Sequence, residues 1–388
     1  MTDAVTAQTA NPDSAEAGSI LGSQISTGLE GKRPDAVILF ASSRFEYEPL
    51  LRALDEACQP HLLVGCSSAG EFTTESPREG TACAVALRSD DIRFSAGLGR
   101  DLRASRRDAA RQIVHSFAGL DDHNQRHRSA LVLGDALGGF TDELVEELTL
   151  LTTGSYQLFG GGAGDDAKFE STHVFLGTQA HTNAAVALEF LSRKPIGIGV
   201  GHGWQPASQP LRVTESEGTR LVSLNAAPTV EAFDEHAENT GQRLDVAVPL
   251  PFFLHNVIGI DTGSGHKLRV PLAAYPDGSV ACASDVPENS TVHIMGVSNA
   301  AAVDAATRAT RAAISQLGDH SPKVALFFDC VATRLRMGQE FGFELQSVRD
   351  ALGGASMIGC NTYGQIARAE GQFSGFHNCT AVVCVIPE

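Results

Sequence analysis

Short apolar runs alternate with amphipathic helical patterns along most of the chain. The run Ala36–Ala41 has the length of a buried strand, and the residues that follow repeat apolar side chains at helical spacing up to Cys58. A second run, HLLVG (61–65), leads directly into the turn-rich sequence CSSAGEF, and Cys83–Arg88 forms a third run. This order predicts a strand, a helix, a strand, a Gly-rich turn and a further strand.

The C-terminal part of the chain repeats this order. Val324–Asp329 predicts a strand, Gln339–Leu352 a helix, Ala355–Gly359 a second strand and CTAVVCVI (379–386) a final strand. The turns are also alike, because GCSSAGEF (65–72) and GCNTYGQI (359–366) share their glycines, their cysteine and an acid or amide before the last apolar residue. A repeated structural unit explains this agreement better than chance does.

A weaker third copy lies between these two segments. Leu131–Gly134 precedes a helical pattern that ends at Leu151, and the sequence YQLF then leads into GGGAGDD (160–166) and the apolar run Ala184–Phe190. Strands that alternate with helices predict an α/β fold with mixed sheets built from repeated β-α-β units, in two domains. Ligands bind at the strand ends of such sheets, where these Gly-rich turns are expected.

Polar side chains follow all three Gly-rich turns. Glu71, Asp165 and Gln365 stand at what the sequence indicates are equivalent points. They either converge on one pocket or cap the following element through backbone N–H groups, and the sequence leaves both interpretations open.

Composition limits the classes of partner. The formal net charge is −17, which disfavours nucleic acid, and no apolar stretch is long enough for a transmembrane helix. Residues 1–33 begin with small and acidic residues and lack a signal sequence, so we expect a disordered tail. The eight cysteines contain no Cys-x-x-Cys pair and mostly lie in apolar runs, which favours a reduced, cytoplasmic protein.

Two Gly-rich motifs resemble known catalytic or nucleotide loops without matching them. GCSSAG places its second glycine one position too late for a Gly-x-Ser-x-Gly nucleophile elbow, although Cys66 or Ser67 as a nucleophile stays open. FGGGAGDD lacks the Lys-Ser/Thr of a P-loop, and its two carboxylates would repel a phosphate.

His202 is the histidine with the most suggestive setting. It lies between Gly201 and Gly203 and near Trp204, the only tryptophan. An imidazole without bulky neighbours could serve as an axial ligand of haem b, and a packed or hydrogen-bonded histidine is the alternative.

The same motifs resemble the FIST family of bacterial sensory proteins, which pair a FIST N and a FIST C domain. GCSSAGEF and FGGGAGDD are similar to motifs of the N domain, GHGWQP (201–206) with RVTESEG and LNAAPTVEAF to the junction, and MIGCNTYGQIA with HNCTAVVCV to the C domain. The resemblance implies a FIST N-like domain at 34–222 and a FIST C-like domain at 223–388. Gln365 stands where the family often has Glu.

The resemblance implies an intracellular small-ligand sensor rather than an enzyme. By the same resemblance, we expect the sensor to regulate a histidine kinase or another signalling protein in trans. The resemblance is also compatible with a homo-oligomer. Haem-based nitric oxide sensing through His202 is the most specific hypothesis, and binding of an amino acid or another polar metabolite is the alternative. The ligand-binding residues expected from the turns are Cys66, Ser67, Ser68, Gly70, Glu71, Gly162, Asp165, Tyr363, Gly364 and Gln365.

Overall fold

Three similar units, one of them interrupted by a long insertion, build this protein. We describe a computed structural model, which covers residues 1–74, 77–78, 80–120, 126–369 and 374–388. Unit 1 consists of β1 (Thr2–Thr9), α1 (Ser14–Gly28), β2 (Ala36–Ser42), α2 (Tyr47–Cys58), β3 (Leu62–Ser68), β4 (Glu71–Thr73), β5 (Pro77–Arg78) and β6 (Ala82–Ser89).

Unit 2 repeats this order of elements. It consists of β7 (Ile92–Arg100), α3 (Arg106–His115), β8 (His127–Gly134), a short 3-10 turn (Ala136–Gly138), α4 (Thr141–Leu151), β9 (Gln157–Gly162), β10 (Val174–Leu176), β11 (Gln179–His181) and β12 (Ala184–Ser192). The sequence predicted β8, α4, β9 and β12, and the structure contains all four.

Unit 3 begins with β13 (Gly197–Gly201) and is then interrupted. The inserted segment consists of β14 (Gln205–Pro206), β15 (Leu211–Glu217), β16 (Arg220–Leu224), β17 (Ala227–Pro228), α5 (Thr229–Thr240), α6 (Leu250–Phe253), β18 (Val257–Asp261), β19 (His266–Arg269), β20 (Pro271–Ala274), β21 (Val280–Cys282) and β22 (Thr291–Gly296). Unit 3 resumes with α7 (Asn299–Ser315), β23 (Pro322–Cys330), α8 (Val331–Met337), a 3-10 turn (Gly338–Glu340), α9 (Phe341–Leu352), β24 (Ser356–Thr362), β25 (Gln365–Arg368), β26 (Ser374–His377) and β27 (Ala381–Pro387).

The units exchange hairpins, so that each of the three core sheets contains strands of two units. The hairpin β4–β5 pairs with β24 of unit 3, β10–β11 pairs with β3 of unit 1, and β25–β26 pairs with β9 of unit 2. In each of these three core sheets the two central strands are parallel, namely β2 with β3, β8 with β9 and β23 with β24. Because of this cyclic exchange, the three parallel pairs all end at the same side of the core.

The three sheets share one hydrophobic core. Phe328 lies 5.7 Å from Phe40 and 6.4 Å from Phe159 between ring centroids, so one aromatic side chain of each unit meets at the centre. The helices cover the outer faces in pairs, with separate apolar clusters beneath α1 and α2, α3 and α4, and α7 and α9. Among the described residues no helix is long and apolar enough to cross a membrane.

The prediction of a disordered tail over residues 1–33 is wrong. β1 pairs with β6 along its whole length, and α1 buries Ala17, Leu21 and Ile25 against unit 1. The small residues that suggested disorder let α1 approach α2 closely, because a Cβ atom on Gly18 would lie 2.2 Å from the carbonyl oxygen of Leu50.

The predicted division at residues 222 and 223 falls inside β16. The chain leaves the core after β13 and returns at α7, and the inserted segment between them has its own apolar core. Two of the three exchanged hairpins, β4–β5 and β25–β26, also pair across this position. The predicted α/β fold with mixed sheets is confirmed, and its core consists of three units with one insertion.

Candidate functional site

Three Gly-rich loops meet at one end of the core, where the parallel strands end. Loop 1 comprises residues 67–71, loop 2 residues 162–166 and loop 3 residues 361–365. The backbone N–H of Ala69 donates to the carbonyl oxygen of Asn361, that of Tyr363 to Gly162, and that of Gly164 to Ser67, each at 2.9 Å. The loops that the sequence singled out thus form a closed ring.

Glu71 is a buried cap within this ring. The backbone N–H and the hydroxyl of Thr81 donate to its Oε2 at 3.0 and 2.9 Å, and the Ser68 hydroxyl donates to its Oε1. Burial raises the pKa of Glu71 to about 7, although these hydrogen bonds favour the carboxylate. Glu71 and Ser68 are both buried, and these hydrogen bonds occupy their side-chain oxygens. Neither side chain is therefore exposed at the surface of the ring.

Gln365 has the same function in loop 3. Its Nε2 donates to the Thr362 hydroxyl at 2.8 Å, and its Oε1 accepts from the backbone N–H of Thr380 at 3.2 Å. An amide is well suited here because it satisfies both contacts without placing a charge in the core.

Asp166, rather than Asp165, is the equivalent residue of loop 2. In the three units, a Cβ atom on Gly65, Gly160 or Gly359 would lie 1.8–2.1 Å from a carbonyl oxygen of the neighbouring parallel strand. Counted from these glycines, Asp166 occupies the position of Glu71 and Gln365. Its Oδ2 accepts from Ser42 Oγ at 2.8 Å, and from the backbone N–H and hydroxyl of Ser43 at 2.8 and 2.6 Å.

Asp165 orders the loop that follows it. It accepts the backbone N–H groups of Phe169, Glu170 and Ser171 at 2.8, 2.7 and 2.9 Å, and the hydroxyl of Tyr363. Burial opposes its ionisation, but these four donors outweigh burial and lower the pKa of Asp165. The ring of Phe169 stacks on that of Tyr363, with centroids 4.5 Å apart.

An apolar cavity of about 80 Å³ lies beside loop 3, between the core and the inserted segment. Tyr363 and Gly364 are the two predicted ligand-binding residues that line it. Its other walls come from the 3-10 turn after β8, the segment after loop 2, the end of β23, α8, the residues before β27 and the inserted segment: Ala136, Leu137, Phe169, Leu250, Leu254, Val270, Leu272, Ala283, Cys330, Val331, Ala332, Leu335 and Asn378. The cavity is the candidate functional site.

The remaining predicted residues lie behind the cavity wall or in the core. Gly70 and Gly162 sit in the ring, where a Cβ atom would contact Asn361 and Tyr363 respectively. Cys66 is fully buried, and the hydroxyl of Ser67 bonds to the backbone N–H of His173 at 2.9 Å. Because Cys66 and Ser67 are both inaccessible, neither is placed to act as a nucleophile.

Sequence reasoning missed most of the cavity wall. Leu250, Leu272 and Ala283 come from the inserted segment, and nothing in their local pattern separates them from ordinary core residues. Asn378 is more informative, because its Oδ1 accepts the backbone N–H of Val270 at 3.2 Å and so ties unit 3 to the insertion. Asn378 directly precedes the predicted final strand, and this polar residue was the one feature of the sequence that indicated this part of the wall.

His202 lines a second, much smaller cavity of about 10 Å³, which has room for roughly one water molecule. Its Nε2 lies 3.0 Å from the carbonyl oxygen of His266, and burial lowers its pKa. A haem needs an accessible imidazole nitrogen and a slot for a large planar ring. The residues around His202 therefore do not fit haem in this arrangement.

The second cavity is strongly polar on its other side. Asp329 and Glu344 face each other there, both buried, and burial raises the pKa of Asp329 to about 6 and that of Glu344 well above its usual range. Nε and Nη2 of Arg336 have no hydrogen-bond acceptor among the described residues, and its Nη1 donates to Asn299 at 2.5 Å. Two buried carboxyls this close oppose each other's ionisation, so the pair holds a proton more strongly than a single carboxyl does.

Cys330 and Cys379 separate the two cavities. Cys330 lines the apolar cavity, Cys379 lines the polar one, and their thiols interact with each other. The hydrogen bond from Cys379 is the main cause that lowers the pKa of Cys330 to about 7, and the pKa of Cys379 rises in turn. Within the described residues no group of three or more His, Cys, Asp and Glu side chains is arranged to hold a metal ion.

Comparison with known proteins gives a family and several distant similarities to solved structures. Among solved structures, the cyanuric acid hydrolase from A. caulinodans is 9% identical, with 99% of both chains covered and a TM-score of 0.35. T. maritima PurL complexed with AMPPCP is 12% identical, with 100% of this chain and 72% of that chain covered and a TM-score of 0.23. Curated proteins contain no match to the chain.

The family comparison is specific. The model of the FIST N domain matches residues 35–227, and that of the FIST C domain matches residues 232–368. Together they span both Gly-rich turns with a shared Gly-Cys sequence and most of the inserted segment. The chain therefore belongs to the FIST family of sensory ligand-binding domains.

Proposed function

We propose that this protein is a sensor that binds a small, largely apolar molecule in the cavity beside loop 3. The observation that carries the proposal is the position of the cavity: its walls come from the core through Val331 and Tyr363, and from the insertion through Leu250 and Ala283. Ligand sites are typically concave, mostly apolar and lined by a few polar side chains, here Asn378.

Its size limits the ligand. A volume of about 80 Å³ corresponds to roughly five to eight water-sized groups, so the ligand is a small molecule or one end of a larger one. Phe169 and Leu335 line the cavity and are 42% and 41% exposed, which gives the ligand a path from solvent.

The signal would be a change in how the insertion rests on the core. A ligand that contacts both walls can favour one relative position only through different affinities for the two positions. Such a change would alter two contacts between the core and the insertion. One is the Asn378–Val270 hydrogen bond, and the other is the 2.5 Å ion pair between Asp142 of unit 2 and Arg269. We propose that a protein partner reads this change, and a histidine kinase is the first class to test.

A thermal-shift screen of small apolar compounds and polar metabolites tests the proposal. A ligand present at 100 times its Kd adds about 2.7 kcal/mol to the free energy of unfolding. Stabilisation by apolar compounds, with chemical-shift changes at Tyr363 and Ala283, supports the proposal. Binding that leaves both residues unaffected would place the ligand elsewhere and refute it.

A polar metabolite such as an amino acid is the second candidate. It is favoured by the two Arg336 nitrogens without acceptors, which face the buried carboxyls of Asp329 and Glu344. A carboxylate would pair with Arg336 and an ammonium group with the carboxyls. The cavity of about 10 Å³ must open to admit such a ligand, so Arg336→Lys should abolish its binding and leave binding of apolar ligands unchanged.

A further inference from the structure

Two neighbouring thiols line the two cavities, Cys330 the apolar one and Cys379 the polar one. Cys330 is the last residue of β23, and Cys379 stands two residues before β27, the antiparallel neighbour of β23. Both are unbonded to other cysteines, only 3% and 5% exposed, and belong to one apolar cluster. Neighbouring strand ends therefore bring the two side chains together.

Of the eight cysteines, Cys330 alone lines the apolar cavity. Its side chain lines the 80 Å³ cavity, whose wall includes the partly exposed Phe169 and Leu335. Cys66 and Cys360 also interact through their thiols, but both are 0% exposed at the centre of the core and line neither cavity described above. A small neutral reagent that enters the apolar cavity therefore meets Cys330 first.

We propose that Cys330 and Cys379 form a peroxide-reactive dithiol, which a small apolar hydroperoxide reaches through the cavity beside loop 3. The apolar lining favours an organic hydroperoxide over a charged oxidant, because a charged group would lose its hydration there. This proposal uses the cavity as an entry route and stands whether or not a regulatory ligand binds in it.

The reaction proceeds in two balanced steps. The Cys330 thiolate attacks the terminal oxygen of the hydroperoxide, so that an S–O bond forms, the O–O bond breaks and the alcohol leaves with the thiol proton. The Cys379 thiolate then attacks the sulfur of the Cys330 sulfenic acid, so that an S–S bond forms and water leaves. Two thiols are oxidised to one disulfide, and one hydroperoxide is reduced to an alcohol and water.

The surroundings of the two thiols favour the first step, at Cys330. The hydrogen bond from Cys379 lowers the pKa of Cys330 to about 7, so Cys330 forms the reactive thiolate more readily than an ordinary thiol does. The positive charge of Arg336 stabilises a thiolate at Cys379 and the negative charge of Asp329 opposes it. Cys379 has a left-handed backbone, with φ of 49°, and is followed by β27. A disulfide here would fix the position of Asn378, which holds the insertion.

The test uses the full chain and cumene hydroperoxide as the probe. Free thiols are counted after denaturation, and the disulfide is mapped by peptide mass spectrometry. We expect the count to fall from eight to six, with a Cys330–Cys379 link. Cys379→Ser should instead accumulate a sulfenic acid on Cys330 that dimedone traps, and Cys66→Ser is the matched control that should behave as wild type.

A measurement on the unaltered chain guards against variants that fail to fold. Brief treatment with N-ethylmaleimide should label Cys330 roughly tenfold faster than Cys66 or Cys360, because thiolate content and access both favour it. Equal labelling of all buried cysteines, a disulfide between other residues, or eight thiols left after peroxide would each overturn the proposal.

Discussion

Glu71 and Gln365 hold equivalent positions in units 1 and 3 and bind equivalent partners. Each follows its Gly-rich turn, contacts the hydroxyl three residues earlier and accepts the backbone N–H of the residue just before the closing strand of its unit. Glu71 is an acid and Gln365 an amide. The two units therefore place an ionisable cap and a neutral cap in equivalent environments, and their effects on stability can be compared.

We expect Glu71→Gln to stabilise the protein at high pH. The raised pKa of Glu71, about 7, means that the protonated form stabilises the fold below about pH 4.5 and that this contribution is lost as the pH rises to about 7. The glutamine avoids that loss and should add up to about 3 kcal/mol at pH 8 but little at pH 4.5. Urea unfolding at the two pH values measures it. The reciprocal Gln365→Glu should destabilise at pH 8, and parallel pH curves for both variants would contradict the assignment.

Asp165→Ala should destabilise the protein by about 2–4 kcal/mol. The substitution removes the acceptor of three backbone N–H groups and of the Tyr363 hydroxyl. Urea unfolding provides the measurement, and Glu170→Ala, which alters an exposed side chain of the same loop, is the control. A cost below about 1 kcal/mol would show that the loop does not depend on Asp165.

Ala283→Leu should abolish binding of apolar ligands without unfolding the protein. The larger side chain occupies part of the 80 Å³ cavity that Ala283 lines. Calorimetric titration with a ligand from the screen gives the affinity. Ala273→Leu adds the same volume on an exposed position of β20 and should bind normally. Equal affinities for the two variants would exclude the cavity as the binding site.

Gly359→Ala should destabilise unit 3 by more than about 3 kcal/mol. The added Cβ atom would lie 1.8 Å from the carbonyl oxygen of Phe327 and 2.5 Å from Phe72, so the parallel strands must separate. Gly342→Ala is the control, since Gly342 lies in α9 with no atom within 4 Å of a new Cβ, and alanine there should stabilise slightly. Thermal unfolding of both variants distinguishes a clash from a general effect of replacing glycine.

Absorbance spectroscopy tests the hypothesis that His202 binds haem. Because His202 Nε2 contacts the His266 carbonyl oxygen and its cavity holds about one water, haem titration should give no Soret band that depends on His202. Absorbance spectra of the wild type and His202→Ala should coincide. A Soret band lost in the variant would show that this region rearranges to bind haem and would restore nitric oxide sensing as the leading hypothesis.

The sequence by itself determined the elements and their repetition. Apolar runs such as Ala36–Ala41 and Val324–Asp329 are strands because they are buried on both faces, and the amphipathic period over Tyr47–Cys58 and Phe341–Leu352 gives the outer helices. The matching Gly-Cys turns identified the repeated unit, since the close approach of parallel strands requires glycine at Gly65 and Gly359. These features depend on local periodicity and on steric limits, which a sequence carries directly.

Only the tertiary structure decided where the site lies. Glu71 is held by Ser68 and Thr81, and Gln365 by Thr362 and Thr380, all inside the core, so both side chains cap their own units. The cavity arises where the insertion covers the end of unit 3, from residues such as Leu250 and Val331 that are more than 75 positions apart. Long-range packing of this kind leaves no local pattern, because an apolar side chain that lines a cavity has the same sequence signature as one that fills the core.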